Sequence, residues 1–315
     1  MGNVKKAKKK ARVHGGWQDR LSDYVLRGLI WTALRLPVRT RLKVVSWIVR
    51  RFVAPLVGWP ARVRANLYHV WPDLPEPEVR HITDQVIDNV ARAFIENYDV
   101  PEMLARGARN SIGGAGLAAV EQARAAGRPV LFVSGHYGSA ECARCAMVAR
   151  GYQIGGLIRP MSNPFFNEHY TKNMHDICEP VFEQGRRGTM GLIKHIRDGG
   201  MAVLLFDVFD SAGVPIDFLG KPAPTLTSAA DIALKTDALV VPFFGIRHAD
   251  RYGFDAIFED PIAHGDPVEM MRQATQRLEA RIKDDPGQWM WLHRRWKPKR
   301  QAKHQRKRAA ATMRP

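Results

Sequence analysis

The stretch PVLFVSGHYGSAECARCA, residues 129–146, decides the reading of the fold. Its opening PVLFVSG is short, unbroken and rich in β-branched and aromatic residues, as a buried strand is. A Gly-His-Tyr-Gly turn follows, and Ser139 then stands where a helix N-cap belongs, ahead of small and apolar residues. Three later runs have the same strand-like character: QIGGLIR (153–159), MAVLLFD (201–207) and ALVVPFFGI (238–246). The segments between them suit crossover helices, so the pattern predicts an α/β fold with a mainly parallel mixed sheet flanked by helices.

Chemistry in open α/β sheets collects at the carboxyl ends of strands. His136 lies just past the first run, Arg159 ends the second and Asp207 ends the third, so three polar groups from distant segments are expected on one edge. Glu141, five residues after His136, is placed in the first turn of the following helix, where the dipole favours an ionised carboxylate. Such a carboxylate can fix the imidazole tautomer and leave the other ring nitrogen free to take a proton from a hydroxyl. Ser134 and Ser139 are near in sequence, yet the pattern contains no evident protein nucleophile. A lone His-x4-Glu is more often a satisfied loop histidine than a catalytic pair.

The surrounding segments add weight. GHYGSAE (135–141) matches the His-x4-Asp/Glu motif of the late acyltransferases of lipid A biosynthesis, the lauroyl and myristoyl transferases. IRPMSNPFFN (158–167) is similar to their YRP-x-x-NP segment, and GRRGTMGLIKHIRDGGMAVLLFD (185–207) resembles their Gly/Arg turn, helix and strand. IDFLGKPAPTLTSAADIALKTDALVVPFFG (216–245) resembles their F-x-G-x-x-A-x-T segment, and NLYHVWPDLPEPEV (66–79) their N-terminal NL…FP stretch. The likeness covers roughly residues 20–297 and extends to the wider lysophospholipid and glycerolipid acyltransferases, whose fold it implies.

The resemblance implies that His136 is the general base on an acceptor hydroxyl and that Glu141 stabilises the imidazolium. The hydroxyl would attack an acyl thioester directly, with no acyl-enzyme and no cofactor; acyl carrier protein, or coenzyme A, would bring the acyl chain as co-substrate. Arg159, Asn163, Arg186 and Asp207 would shape the site around phosphate, sugar or oxyanion charge, arginine being suited to bidentate phosphate contact. Each of these four has an equally plain structural use in salt bridges or turns. Many family members read Asp-Gln after this strand, whereas FDVFDSAG (206–213) keeps Asp207 and puts Val208 in place of the amide, with Asp210 as a possible extra carboxylate. That departure bears on the acceptor more than on the reaction.

The formal charge of +17 sits at the two ends of the 315-residue chain. Residues 1–12 hold six Lys/Arg and residues 294–315 hold ten, both without an acid, which leaves 32 basic against 31 acidic residues between them. Such ends attract any polyanion, whether RNA, anionic lipid or an acidic protein, and identify none. The expected organisation is a basic tail (1–19), amphipathic membrane-associating helices (20–60), an acyltransferase domain (61–297) and a second basic tail (298–315). Within residues 20–60, Arg20, Arg27 and Arg35 share one helical face, with Leu26, Leu29, Ile30, Trp31, Ala33 and Leu34 around the rest. Trp47, Phe52 and Trp59 then mix with Arg50 and Arg51, a composition suited to headgroup depth. The bland alternative is ordinary helices packed on the domain. Ile82, Val86, Val90, Phe94 and Tyr98, at steps of four, predict one amphipathic helix after the Pro-rich break at 72–77.

No stretch reaches the roughly 18–20 apolar residues needed to span a bilayer. MGNVKK has Lys6 where a myristoylation site needs Ser or Thr, and no secretory signal is evident. Three cysteines are too few for a disulfide scaffold, and Cys142-x-x-Cys145 reads better as small residues packed on the sheet than as a redox or zinc pair. QWMWLHRRWKPKR (288–300) interleaves Trp289, Trp291 and Trp296 with arginines, a pattern that fits base stacking, a membrane surface or a structural role. The reading is a peripheral enzyme on the cytoplasmic face of the bacterial inner membrane that acylates a lipid A precursor. Its expected partners are acyl carrier protein, the lipid acceptor and an anionic membrane surface, with no specific nucleic acid. The competing readings are an acyltransferase on another acceptor (lysophospholipid, ornithine-type lipid or glycolipid), a basic nucleic-acid-binding protein, and a non-catalytic lipid-binding descendant.

Overall fold

A computed structural model describes residues 15–297; the first fourteen residues of the expected N-terminal tail, MGNVKK among them, and the whole expected C-terminal tail lie outside the described residues. In chain order come α1 (Trp17–Leu34), α2 (Val38–Ile48), a π-helical turn (Val49–Val53), α3 (Ala54–Leu56), α4 (Trp59–Val70), α5 (Glu76–Glu96), α6 (Val100–Arg109), β1 (Ser111–Gly113), α7 (Leu117–Ala125), β2 (Val130–Ser134), α8 (Ala140–Val148) and β3 (Ile154–Ile158). The chain continues through α9 (Pro164–Ile177), β4 (Val181–Glu183), α10 (Arg186–Arg197), β5 (Met201–Leu205), β6 (Val214–Phe218), β7 (Lys221–Thr225), α11 (Ser228–Thr236), β8 (Leu239–Arg247), β9 (Phe254–Phe258), α12 (Pro267–Asp284) and a 3-10 turn (Pro286–Gln288).

Seven strands form one sheet in the order β1-β9-β8-β2-β5-β3-β4. All neighbours run parallel except β8 and β9, and β6 and β7 form a separate antiparallel hairpin. The four runs read as strands are β2, β3, β5 and β8, and they form the middle of the sheet. The sequence reading passed over the short or peripheral strands β1, β4, β6, β7 and β9.

The continuous apolar run of β2 has a direct cause. Leu131 and Val133 pack into one large cluster with α4, α5, α10, α11, α12 and the C-terminal segment, while Val130 and Phe132 pack on the opposite face with α7 and α8. Both faces of the strand are therefore dry, and alternation with polar residues is impossible. Phe132 meets Phe243 and Phe258 at 5.5 and 5.8 Å between ring centroids; burying such a ring contributes about 1.5–3 kcal/mol.

Helix α5 corrects the step-of-four stripe. A step of four advances 400°, so the stripe drifts by about 40° per step: Ile82 and Val86 are buried, but Phe94 emerges to 37% exposure. Ile87, Ala91 and Ile95 take over the buried face.

The N-terminal helices pack on the body rather than standing apart. Arg41 reaches Asp99, Ser46 reaches Asp88 on α5, and Ile30 and Leu42 join Ile95, Tyr98 and Phe166 in one cluster. Their outward faces nevertheless carry Trp17, Leu21, Tyr24, Val25, Leu29 and Trp31 on α1, and Trp47, Ile48, Phe52, Val53 and Leu56 beyond it, all exposed. Among the described residues no helix is long and apolar enough to cross a membrane.

Candidate active site

Strands β2 and β5 are parallel neighbours in a register that pairs Ser134 with Leu205. The chain leaves both at the same height, so the residue two positions on from each, His136 and Asp207, meet across 71 residues of sequence. Asp207 Oδ1 lies 2.7 Å from His136 Nδ1, and Asp207 Oδ2 accepts the His136 backbone N–H at 2.8 Å. Oδ2 also accepts the indole N–H of Trp289 at 2.8 Å. With three hydrogen bonds on a carboxylate that is 1% exposed, the group is held fixed, as a buried charge must be.

The turn carrying His136 is held as firmly. Gly138 has φ +55°, and a Cβ there would sit 1.8 Å from the Gly245 carbonyl oxygen, so only glycine fits. Its N–H donates to the Gln288 carbonyl, and the Ser139 N–H to that of Gly245. Asn89 on α5 donates to the Gly138 and Gln288 carbonyls and accepts from Arg247, which is paired to the buried Glu96. Ser139 caps α8 through the Cys142 N–H, as expected.

Electrostatics follow from this geometry. Burial alone would depress the His136 imidazole, but the charge of Asp207 and the hydrogen bond to it outweigh burial and raise its pKa above 6.5. Asp207 moves the other way: burial opposes ionisation, and the His136 charge and hydrogen bond hold the carboxyl well below the usual range. With Nδ1 on the carboxylate, Nε2 is the nitrogen that remains for a proton in transit. The His136 side chain keeps 25% of its surface open.

Glu141 is not the imidazole's partner here. Its Oε2 accepts from Arg144 Nε at 2.9 Å and lies 2.7 Å from Arg144 Nη2. The reason is local: Arg144, one turn on and 3% exposed in its side chain, has its charge in the interior and takes the nearest carboxylate. The tautomer-fixing contact expected of Glu141 is made by Asp207, which the sequence reading brought to the same edge as His136 but assigned to the substrate rather than to the imidazole.

The other expected residues separate. Arg159 follows β3, on the far flank of β5, is exposed, and lies close enough for its charge to bear on His293 beside the dyad. Asn163 has no free hydrogen-bonding atom to offer: Oδ1 caps α9 through the Phe165 and Phe166 N–H groups, and Nδ2 donates to Asp19 and Ser22 of α1. Arg186 opens α10 beyond the edge strand β4, exposed, and no hydrogen bond or ion pair among the described residues joins it to His136 or Asp207. Asp210 accepts the Ala212 N–H and closes its own loop.

The Trp/Arg segment is neither a base-stacking nor a membrane surface. Trp289, Trp291 and Trp296 are buried: Trp289 meets Trp291 and Phe218 edge-on, and Trp296 stacks on Phe218. Arg295, 1% exposed, donates to the Val208 and Pro224 carbonyls and to Thr225, and burial lowers its pKa to about 10. The segment is the back wall of the site: the Met290 N–H donates to the His136 carbonyl, and the His293 ring lies edge-on to that of His136 at 4.7 Å. A sequence search for acids and bases at strand ends misses Trp289 and His293, which arrive after the last helix; the Trp spacing is their signal.

All three cysteines are free and buried. Burial pushes the Cys142 thiol up to about 12 and Cys145 well above its ordinary value, the opposite of what a reactive thiolate needs. Among the described residues no group of His, Cys, Asp and Glu is arranged to hold a metal.

Comparison with known proteins bears on this arrangement. Residues 5–298 match the family model described as bacterial lipid A biosynthesis acyltransferase. A lipid A biosynthesis acyltransferase of Haemophilus influenzae is 20% identical over 279 residues, covering 88% of this chain and 86% of that protein. A match over nearly the whole length, on a sheet that brings a histidine and a carboxylate together at its carboxyl edge, places the chain in the family of bacterial lipid A biosynthesis acyltransferases.

Proposed function

We propose that the enzyme transfers a fatty acyl chain from a thioester, on acyl carrier protein or coenzyme A, to a hydroxyl of a lipid A precursor, with His136 as general base and Asp207 as its orienting carboxylate. The observation that carries this reading is the His136–Asp207–Trp289 chain of hydrogen bonds. Asp207 sets the Nδ1–H tautomer, so Nε2 accepts the hydroxyl proton as the oxygen attacks the thioester carbon. The tetrahedral intermediate then expels the thiolate, which recovers that proton from the imidazolium. Glu141 contributes by holding Arg144 and the start of α8 in place. Arg159, exposed after β3 and with its charge felt at His293, offers a cation to an anionic acceptor.

The exposed aromatic and aliphatic faces of α1, α2 and the π-helical turn, bordered by Arg20, Arg27, Arg50 and Arg51, support peripheral attachment to an anionic lipid surface. The substrate is itself a lipid, and the reading puts the protein on the cytoplasmic face of the inner membrane. The test is transfer in vitro: purified protein with lauroyl-acyl carrier protein and a lipid A precursor should yield the precursor plus one acyl chain, and His136→Ala should yield none. Transfer to lysophospholipid alone would move the assignment to another acceptor.

A further inference from the structure

The His293 imidazole is a second ring at the reacting centre, and the protein leaves one of its nitrogens unused. Its centroid is 4.7 Å from that of His136, with the planes at 70°. Its backbone is fixed: the carbonyl accepts from Asn66 Nδ2 at 2.9 Å and the N–H donates to Met290. Its Nε2 is buried with no hydrogen-bond partner among the described residues. A buried polar atom without a partner is destabilising, and such atoms in native sites call for an explanation, a catalytic role being one.

The ring's charge state narrows that role. Burial first, then the neighbouring His136, lowers the His293 pKa to about 4, with Lys297 and Arg159 pressing the same way against Asp207. The ring is therefore neutral when His136 is a free base. It stays neutral when His136 takes up a proton, because a second charge 4.7 Å away is disfavoured. It cannot act as a second base in the same turnover, but in the Nε2–H tautomer it is an uncharged donor.

Building on the acyl transfer proposed above, we infer that His293 is a catalytic residue whose imidazole N–H donates a hydrogen bond to the oxyanion of the tetrahedral intermediate. The assignment requires that a thioester carbon attacked by an oxygen about 2.8 Å from His136 Nε2 carry its carbonyl oxygen to the His293 N–H, and the 4.7 Å between the two ring centroids is short enough to allow it. As that oxygen bonds to the thioester carbon, the carbonyl π pair moves onto the carbonyl oxygen, where a fixed neutral donor meets it. The charge returns to the carbon–oxygen bond when the thiolate leaves, and no proton is lost from His293 in the cycle.

The experiment compares His293→Phe, which keeps a ring against His136 and removes the donor, with His293→Gln, which keeps an uncharged donor and removes the ring. In transfer from lauroyl-acyl carrier protein to a lipid A precursor, Phe should lower kcat by about 10²-fold with KM within a few-fold, as loss of one oxyanion donor does; Gln should retain kcat within about tenfold. Phe at wild-type kcat, or Gln as impaired as Phe, overturns the inference. If wild type itself transfers nothing, the acyltransfer reading fails instead. A readout on wild type covers a Phe variant that does not fold: with 15N-labelled histidine, a lauroyl trifluoromethyl ketone at a concentration that inhibits transfer should shift the His293 ring nitrogen. No shift overturns the inference.

Discussion

Replacing Asp207 with Asn changes one atom in the site and, on the geometry, almost everything about the base. The carboxylate accepts three hydrogen bonds: Nδ1 of His136 on Oδ1, and the His136 and Trp289 N–H groups on Oδ2. An amide has one acceptor oxygen. Two N–H donors fix that oxygen at the Oδ2 position, so the amide NH2 must face Nδ1. Two donors cannot share that contact, and the imidazole is driven to its Nε2–H tautomer with the lone pair on the wrong nitrogen. In serine proteases the same carboxylate-to-amide change lowers kcat by about 10⁴. An effect of about 10³–10⁴ here corresponds to about 4–5.5 kcal/mol of barrier at ~1.36 kcal/mol per tenfold. The acid limb of the pH–rate profile should move as well. Asp207 raises the His136 pKa above 6.5, so wild-type activity rises through a pH above 6.5 and the variant's residual activity through a lower one. The assay is single-turnover acyl transfer from pH 5 to 9, with thermal unfolding to confirm the fold. A variant within about tenfold of wild-type kcat and with an unmoved acid limb refutes the reasoning.

Glu141→Gln is expected to leave the acid limb where wild type has it, because its carboxylate lies on Arg144 rather than on His136; a limb displaced as far as that of Asp207→Asn contradicts this. The same pair governs stability. The raised His136 contributes stability that is full below its ordinary 6.5 and lost as pH rises through its folded value. The depressed Asp207 contributes stability that is present above its ordinary 3.8 and lost as pH falls. The difference in unfolding temperature between wild type and Asp207→Asn should therefore be largest between these values and shrink on either side; a difference independent of pH counts against the ion pair. Trp47 and Phe52 meet edge to face at 5.5 Å and are 55% and 50% exposed. Glutamate at both positions should weaken sedimentation with anionic phospholipid vesicles by about tenfold or more, leaving unfolding unchanged; undiminished binding would remove this face from the membrane account.

What the sequence made legible was what a strand writes locally. β2, β3, β5 and β8 are central, mostly buried and therefore continuous in apolar residues, and Ser139 announced the start of α8 by its chemistry. β1 and β4 have three residues each, too few to show a period. His136 and Asp207 were both legible as polar residues at strand ends. Their pairing was not, because it depends on β2 and β5 being neighbours although two strands intervene between them in the chain. Sequence proximity instead pointed to Glu141, whose side chain answers to the buried Arg144 that the same helix carries. Trp289, Trp291, Trp296 and Arg295 fitted a base-stacking surface, a membrane surface or a structural role, since aromatic and cationic residues also interleave at interfaces, and the structural role is the one the burial supports. They are interior because the segment after α12 turns back beneath the catalytic edge, with the indole N–H on Asp207 and the guanidinium of Arg295 on backbone carbonyls.

The most direct test of the central claim is mass spectrometry of lipid A and phospholipids from cells lacking the protein and complemented with wild type, His136→Ala or Asp207→Asn. The account predicts that one lipid A species loses a single secondary acyl chain, that wild type restores it, and that neither variant does. Full restoration by His136→Ala would contradict the mechanism, and lipid A unchanged by loss of the protein would contradict the acceptor.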